Sequence, residues 1–141
     1  MSTFVDTNVL VYARDAGAGA KHLTAREWMT HLWATRAGRL SHQVLEELYV
    51  TVTAKLRPGM TAADARRDVR SLLAWQPVAV DAALFEGAWS LQDRFSLSWW
   101  DALIVTAAQA AECDVLLSED LPDGQDFDGV RVMNPFRNRP G

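Results

Sequence analysis

The sequence predicts an α/β fold in which helices cover both faces of a mainly parallel sheet. Short apolar stretches alternate with longer segments of helical periodicity, and the strand predicted at residues 114–118 has a continuous apolar centre. Right-handed crossovers between parallel strands place every carboxyl end at one edge of the sheet. Ligands bind at such an edge, at the point where the strand order reverses.

The strands are expected where short apolar runs are bounded by polar or turn residues, at residues 2–6, 39–41, 77–80, 114–118 and 130–133. The helices are expected where apolar residues recur at helical spacing, at residues 7–15, 20–37, 43–56, 62–75, 82–95 and 98–111. Capping residues and helix breakers support these bounds. The expected caps are Thr7 or Asn8, Thr61, Asp81 and Ser98, and the expected stops are Gly17, Gly19, Gly38 and Pro58-Gly59.

Length and composition limit the kind of protein that the chain can form. The 141 residues are expected to form one domain, residues 1–134, followed by a short polar tail, residues 135–141, that frays. Cys113 is the only cysteine, so an internal disulfide is excluded and a zinc site built from thiolates is not expected. No leader is recognised and no run approaches the roughly 20 apolar residues of a membrane span. A soluble cytoplasmic protein, not bound to a membrane, is therefore expected.

The net charge of -4 argues against a protein that coats nucleic acid through bulk electrostatic attraction. The balance changes if four of the 18 acidic residues form one metal site. The remaining 14 would then equal the 14 lysine and arginine residues. The charge therefore leaves room for a nucleic-acid substrate at a local acidic site.

Acidic residues stand at the ends of elements that a parallel sheet brings to one edge. Asp6 ends the first strand, Asp120 follows the strand at residues 114–118, and Asp101 lies in the first turn of a helix. The helix after the second strand offers two further acids near its start, and helical periodicity does not choose between Glu46 and Glu47. Four carboxylates can therefore converge.

Each acid also has an ordinary structural explanation. Asp6 can cap the following helix, Asp101 completes a capping box with Ser98, and Asp120 lies in a turn beside Pro122. Their shared placement favours a common site. Carboxylates packed together repel unless a cation lies between them, and hard oxygen ligands suit Mg²⁺ or Mn²⁺. Such sites are typical of phosphate chemistry, in which the metal activates a water molecule as nucleophile.

Four segments carry a resemblance to a known family: residues 5–10, 43–49, 98–104 and 117–121, the last followed by Gly124-Gln125. In order and spacing, they resemble the motifs of PIN-domain ribonucleases of the VapC toxin type, from bacterial type II toxin–antitoxin pairs. The resemblance covers nearly the whole chain. It implies a three-layer α/β/α fold, with a central sheet of about five mainly parallel strands, and a metal-dependent endoribonuclease.

The resemblance also implies roles for particular residues. The implied catalytic residues, which are also the implied ligands of Mg²⁺ or Mn²⁺, are Asp6, Glu47, Asp101 and Asp120. Register against the motif selects Glu47 over Glu46. The polar residues implied to orient these carboxylates are Thr7, Asn8 and Ser118. Two more acids, Glu119 and Asp123, stand next to the fourth position and compete with Asp120 for it.

The partners implied by the resemblance are an RNA substrate, a second copy of the chain and a small antitoxin. The antitoxin's C-terminal segment is implied to fill the active-site groove, and RNA is expected as a single strand or loop. One alternative is a PIN fold without catalysis that binds RNA or protein. Another is a phosphohydrolase with Asp6 as nucleophile, which requires a second aspartate where this chain has Asn8.

Other residues are candidates by type alone. The arginines considered for phosphate contact are Arg14, Arg94, Arg137 and Arg139, although a solvated position is the simpler expectation for each. Trp99 and Trp100 lie in a helix's first turn, so we expect them to pack within the protein instead of stacking on bases.

Overall fold

A five-stranded sheet forms the centre of the computed structural model, which describes residues 2–141. Its strands are β1 (Thr3–Val5), β2 (Gly38–Arg39), β3 (Val115–Leu117), β4 (Asp126–Phe127) and β5 (Val130–Met133). Their order is β2-β1-β3-β5-β4, and all neighbouring pairs are parallel except β4 with β5. The chain leaves β1 toward β2 and later returns on the other side of β1 as β3. The strand order therefore reverses between β1 and β3.

Six helices flank the sheet and complete the predicted three-layer α/β/α fold. They are α1 (Thr7–Arg14), α2 (Ala20–Thr35), α3 (His42–Val50), α4 (Ala62–Leu72), α5 (Ala82–Arg94) and α6 (Trp99–Ala110). Helix α6 is buried along residues 102–108 and packs against α5. Phe4, Leu116 and Leu117 of the central strands are fully buried, as residues of a sheet covered on both faces should be. No helix within residues 2–141 has the length and apolar character needed to cross a membrane.

Local capping predicts the helix starts well, with one correction. Thr61, Asp81 and Ser98 each accept a hydrogen bond from the backbone N–H three residues on. Neither Thr7 nor Asn8 caps α1. Asp6 does so, because its extended backbone lets its own carboxylate accept the Thr7 N–H at 2.8 Å.

Helices α2 and α3 are among those that end earlier than expected. Helix α2 ends at Thr35, and Arg36 rather than Gly38 adopts the left-handed conformation that closes it, so Gly38 begins β2. Helix α3 ends at Val50 and continues as a π-helical turn, Thr51–Lys55, in which the Leu56 N–H donates to the Thr51 carbonyl.

The predicted strand at residues 77–80 is wrong. Val78 makes one bridge to Ser41, and the pairing extends no further because α3 begins at the next residue, His42. Strand β4 was not predicted; it forms a hairpin with β5 through Asp128-Gly129. Both residues have positive φ, 53° and 101°, and Asp-Gly is a common pair for such a two-residue loop.

The expectation that the tail frays does not hold for residues 135–138. The Trp28 indole N–H donates to the carbonyl oxygens of Pro135, at 3.0 Å, and Asn138, at 3.1 Å. The Phe136 ring packs edge-on against Tyr12, with centroids 5.2 Å apart. The buried indole and this aromatic contact hold residues 135–138 against the folded chain.

Candidate active site

The candidate site lies at the carboxyl ends of β1 and β3, where the strand order reverses. Val5 pairs with Leu117 in the parallel ladder, so the next residues, Asp6 and Ser118, emerge side by side. The Asp6 N–H donates to the Leu117 carbonyl at 3.0 Å. Asp6 is only 6% exposed and Ser118 is fully buried. The backbone pairing of the sheet alone thus fixes the positions of two of the predicted site residues.

The Asp6 carboxylate has two hydrogen-bonding roles at once. Its Oδ1 accepts the Thr7 N–H and caps α1, whereas its Oδ2 accepts the Ser118 hydroxyl at 2.8 Å and the Asn8 amide at 3.2 Å. The capping explanation and the site explanation for Asp6 are therefore compatible. Three donors from two elements fix the orientation of this carboxylate.

The Asn8 amide connects Asp6 to Asp120. Its Nδ2 lies 3.2 Å from Asp6 Oδ2, 3.1 Å from Asp120 Oδ2 and 3.3 Å from Ser118 Oγ. Its Oδ1 accepts the Glu119 N–H at 3.3 Å, so the surrounding groups define which end of the amide faces the acids. Asn8 therefore places a partial positive charge between two of the predicted carboxylates.

Glu47 reaches the site through Thr7. The Thr7 hydroxyl donates to Glu47 Oε1 at 2.9 Å, a contact that joins the first turn of α1 to α3. Glu46 and Glu47 are both exposed, but Glu46 makes no side-chain hydrogen bond within residues 2–141. The contact with Thr7 thus distinguishes two glutamates that helical periodicity could not separate.

Asp101 is less tightly connected than the other three acids. It lies half-buried in the first turn of α6, where its N–H donates to the Ser98 hydroxyl at 3.1 Å. Burial raises its pKa, a hydrogen bond from Ser98 opposes the rise, and the charge of Asp120 adds to it. The charge of Asp120 therefore acts on Asp101 through space, with no hydrogen bond between the two side chains.

The two acids that compete with Asp120 are held elsewhere. Glu119 accepts the Tyr12 hydroxyl at 2.6 Å and the Lys21 ammonium at 2.8 Å. Partial burial raises the Glu119 pKa, but the bonds from Lys21 and Tyr12 outweigh it and leave the pKa below its ordinary value.

Asp123 is held in a different way. Its Oδ1 accepts the Asn134 N–H at 2.8 Å and the Asn138 amide at 3.4 Å. Of the three acids in this turn, Asp120 is the one whose carboxylate accepts a hydrogen bond from Asn8 Nδ2.

The electrostatics of the site are incomplete without a cation. Burial raises the pKa of Asp6 to about 6, although the Ser118 and Thr7 hydrogen bonds oppose it, and the charges of Asp120 and Glu47 add to the rise. Within residues 2–141, no lysine, arginine or histidine forms an ion pair with any of the four predicted carboxylates. A cation placed among them would relieve both their repulsion and the burial of an uncompensated charge.

The donor set fits a hard divalent cation, although the side chains do not form a closed cage. In the described part of the chain, no three His, Cys, Asp or Glu groups lie close enough together to hold one ion as they stand. Mg²⁺ retains several water molecules and needs only one or two protein carboxylates as direct ligands. Asp6 and Asp120, with the Asn8 amide between them, could therefore hold such an ion, with Glu47 and Asp101 at its periphery.

An open cleft of about 460 Å³ begins at Thr7 and Glu47 and extends along α3 to Lys55. Trp100 forms part of its wall and is 62% exposed, so the expectation that it packs within the protein is wrong. Trp99 does pack, stacking on Trp89 with ring centroids 6.0 Å apart. Neighbouring residues on a helix point about 100° apart, which explains why the two tryptophans differ.

The candidate arginines do not lie around the carboxylates as a group. Arg14 pairs with Asp68 and Arg94 pairs with Asp128. Arg139 lines a separate cleft that includes Thr3, the first residue of β1 and so at the opposite end of that strand from Asp6. Arg137 borders a small pocket formed with residues of α2 and the tail.

Comparison with known proteins agrees with this fold. The family model described as "PIN domain" matches residues 3–121, and the chain belongs to the PIN domain family. The family predicted from the motifs is therefore confirmed. No curated protein matches the sequence.

Solved structures with similar folds include three from toxin–antitoxin systems. VapC20 of Mycobacterium tuberculosis, described as a "Sarcin-Ricin loop cleaving toxin", is 28% identical, with a TM-score of 0.63 over 92% of this chain and 99% of that chain. A toxin–antitoxin complex from Klebsiella pneumoniae gives a TM-score of 0.64 at 20% identity, covering 95% and 98% of the two chains. VapBC2 from Rickettsia felis, bound to a promoter DNA fragment, gives 0.62 at 15% identity and the same coverage. The latter two establish the shared fold.

The pKa of Asp6 generates a prediction about stability in the absence of metal. The folded-state pKa, about 6, lies above the ordinary value of 3.8, so the folded chain retains a proton that the unfolded chain releases. The resulting stabilisation is complete below the unfolded pKa and is lost as the pH rises through about 6. Between about pH 4 and about pH 7, the contribution of Asp6 to the free energy of unfolding therefore falls by about 3 kcal/mol.

This loss is measured by urea unfolding with a chelator present, comparing the wild-type chain with Asp6→Asn. The free energy of unfolding of the wild type, minus that of the variant, should fall over this pH range. A difference independent of pH would contradict the assigned burial of the Asp6 charge.

Proposed function

We propose that this chain is the toxin of a toxin–antitoxin pair and a metal-dependent endoribonuclease that hydrolyses RNA phosphodiester bonds. The observation that carries the proposal is the buried Asp6 carboxylate, joined through Asn8 to Asp120 at the β1/β3 edge of a PIN domain. The similarity to a toxin described as cleaving the sarcin-ricin loop, at 28% identity over 92% of the chain, supports RNA as the substrate class.

The proposed metal ligands are Asp6, Glu47, Asp101 and Asp120, and the proposed ion is Mg²⁺ or Mn²⁺. The all-oxygen donor set and the buried Asp6 carboxylate, which has no ion-pair partner within residues 2–141, support a hard divalent ion. When bound, the ion supplies a Lewis acid that neutralises phosphate charge and acidifies the attacking water.

The chain's own residues position the reaction. The Thr7 N–H and the Ser118 hydroxyl fix both oxygens of Asp6, which stands at the end of a rigid strand. The Asn8 amide holds Asp120 near Asp6, and the Thr7 hydroxyl holds Glu47 on the far side of the α1 N-terminus. The carboxylates are thereby oriented before the phosphate arrives, which lowers the reorganisation that the reaction requires.

The proposed partners are a cognate antitoxin, a second copy of the chain and a single-stranded or looped RNA in the cytoplasm. Structures of similar fold are described as toxin–antitoxin complexes, which supports a protein partner. The cleft beside Glu47 is open, so an RNA strand or the C-terminal segment of an antitoxin could enter it. Competition between the two for this cleft would explain inhibition.

Cleavage by Asp6→Asn tests the proposed activity. The purified chain, freed of antitoxin, is incubated with structured RNA in Mn²⁺ or in chelator. We expect wild-type cleavage only with Mn²⁺ and a reduction of about a hundredfold or more in the variant, because one ligand and one charge are lost. Circular dichroism checks that the variant folds.

Retained activity in Asp6→Asn, or cleavage unaffected by chelator, would rule out this mechanism. If the wild-type chain cleaves no RNA, the alternative of a non-catalytic binding module is favoured.

Three conservative variants test the identity of the fourth acid. Asp120→Asn should reduce cleavage strongly, whereas Asp123→Asn and Glu119→Gln should retain it to within a few-fold. The reason is that Asp123 and Glu119 are bound to partners outside the site. Asp123→Asn is a matched control, because asparagine keeps an oxygen that can accept the Asn134 N–H. Rates are compared at equal Mn²⁺ concentration, and a strong effect of Glu119→Gln with none of Asp120→Asn would reverse the assignment.

A further inference from the structure

We infer that the cleft along α3 is a nucleotide subsite in which Trp100 stacks on an unpaired base and Lys55 contacts a neighbouring phosphate. The inference rests on the proposed ribonuclease function and names the part of the protein that holds the substrate. It concerns side chains outside the acidic group.

Trp100 is a large aromatic side chain that the fold leaves unpacked. It is 62% exposed, whereas Trp28 and Trp75 are 5% and 4% exposed. Trp99 belongs to an aromatic cluster with Phe85 and Trp89, but Trp100 contacts no aromatic ring within residues 2–141. An indole that contributes so little to the core leaves a free face on which a base can stack.

The backbone of Trp100 is fixed although its ring is exposed. Gln43, which is buried at the start of α3, donates from its Nε2 to the Trp100 carbonyl at 3.4 Å. The contact joins the first turns of α3 and α6 across the floor of the cleft. Trp100 lines the same cleft as Thr7 and Glu47, so its side chain lies next to one of the predicted acids.

Lys55 provides a positive charge in the same cleft. The chain contains two lysines, and Lys21 is paired with Glu119. Lys55 is exposed and forms no ion pair within the part of the chain that the structure describes. It ends the π-helical turn that follows α3 and lines the same cleft as Trp100. An unpaired ammonium at this place is suited to a phosphate.

The shape of the cleft and its exposed indole favour a nucleotide. Glu46 and Glu47 line it together with Trp100 and Lys55. Among its described lining residues, Lys55 alone carries the positive charge that can attract a phosphate. Its volume of about 460 Å³ lies within the usual range for ligand sites. Since the chain has a net charge of -4, bulk attraction to RNA is weak, and local stacking together with a single cation must provide much of the affinity.

Binding of a short, fluorescein-labelled single-stranded RNA tests the subsite. Anisotropy is measured with Mg²⁺ in the Asp6→Asn background, which keeps the RNA intact. Trp100→Ala should weaken binding about tenfold, as loss of one base stack does, and Trp100→Phe should recover most of it. The matched control is Trp89→Ala, which removes an exposed tryptophan outside the cleft and should change binding by less than about twofold.

Lys55 is tested by salt dependence. Lys55→Gln should reduce the slope of log affinity against log salt concentration by about 0.7, the value for one phosphate contact on a single strand. Arg26→Gln removes an exposed positive charge on α2 and should leave the slope unchanged. An RNA with abasic sites should bind the wild type and Trp100→Ala equally. Without a base in the subsite, the wild-type indole has nothing to stack on and its removal changes nothing. A purely structural role for Trp100 would not produce that result.

The outcomes separate the subsite from the enzymatic proposal. If the wild-type chain cleaves RNA but Trp100→Ala binds it normally, or if Trp89→Ala has an equal effect, the subsite is overturned while the ribonuclease proposal stands. If the wild-type chain cleaves no RNA but binding depends on Trp100, the subsite stands and the ribonuclease proposal fails.

Discussion

The burial of the Asp6 carboxylate is the constraint on which the rest of the site depends. A charge that is 6% exposed requires compensation, and the chain supplies it only in part, through the Thr7 N–H, the Ser118 hydroxyl and the Asn8 amide. These donors carry partial charges, so the pKa of Asp6 remains raised. The parallel pairing of β1 with β3 makes this arrangement possible, because it brings Ser118 beside Asp6.

The elements predicted correctly are those determined by short-range interactions. Thr61 and Ser98 cap helices because their hydroxyls bond to backbone groups three residues away, and β5 is recognisable from its own four residues. The errors arise from distant contacts or from turn conformation. The tail is ordered by the Trp28 indole, about a hundred residues earlier, and β4 depends on the Asp-Gly turn that pairs it with β5. The Asp128-Gly129 pair is the sequence signal for this hairpin.

In the site, too, short-range patterns were predictable from the sequence and contacts between distant residues were not. Placement at strand ends was enough to select Asp6 and Asp120 as neighbours. Helical periodicity could not choose Glu47, because the distinguishing contact is a hydroxyl of Thr7 on another element. The sequence also left Glu119 open, since only the fold brings Tyr12 and Lys21 to it. The exposure of Trp100 was missed because tryptophan is usually buried, and two in succession on a helix cannot both face the same partner.

The central claim is that a divalent cation compensates the negative charge of the buried Asp6 carboxylate. Calorimetric titration with Mn²⁺ at a pH near 6, in two buffers of different ionisation enthalpy, tests it most directly. The expected result is Mn²⁺ binding accompanied by proton release, because the ion displaces the proton that the raised pKa of Asp6 retains. The Asp6→Asn variant should bind more weakly and release no proton from this position. Equal binding and equal proton release by both chains, or no binding by the wild type, would contradict the claim.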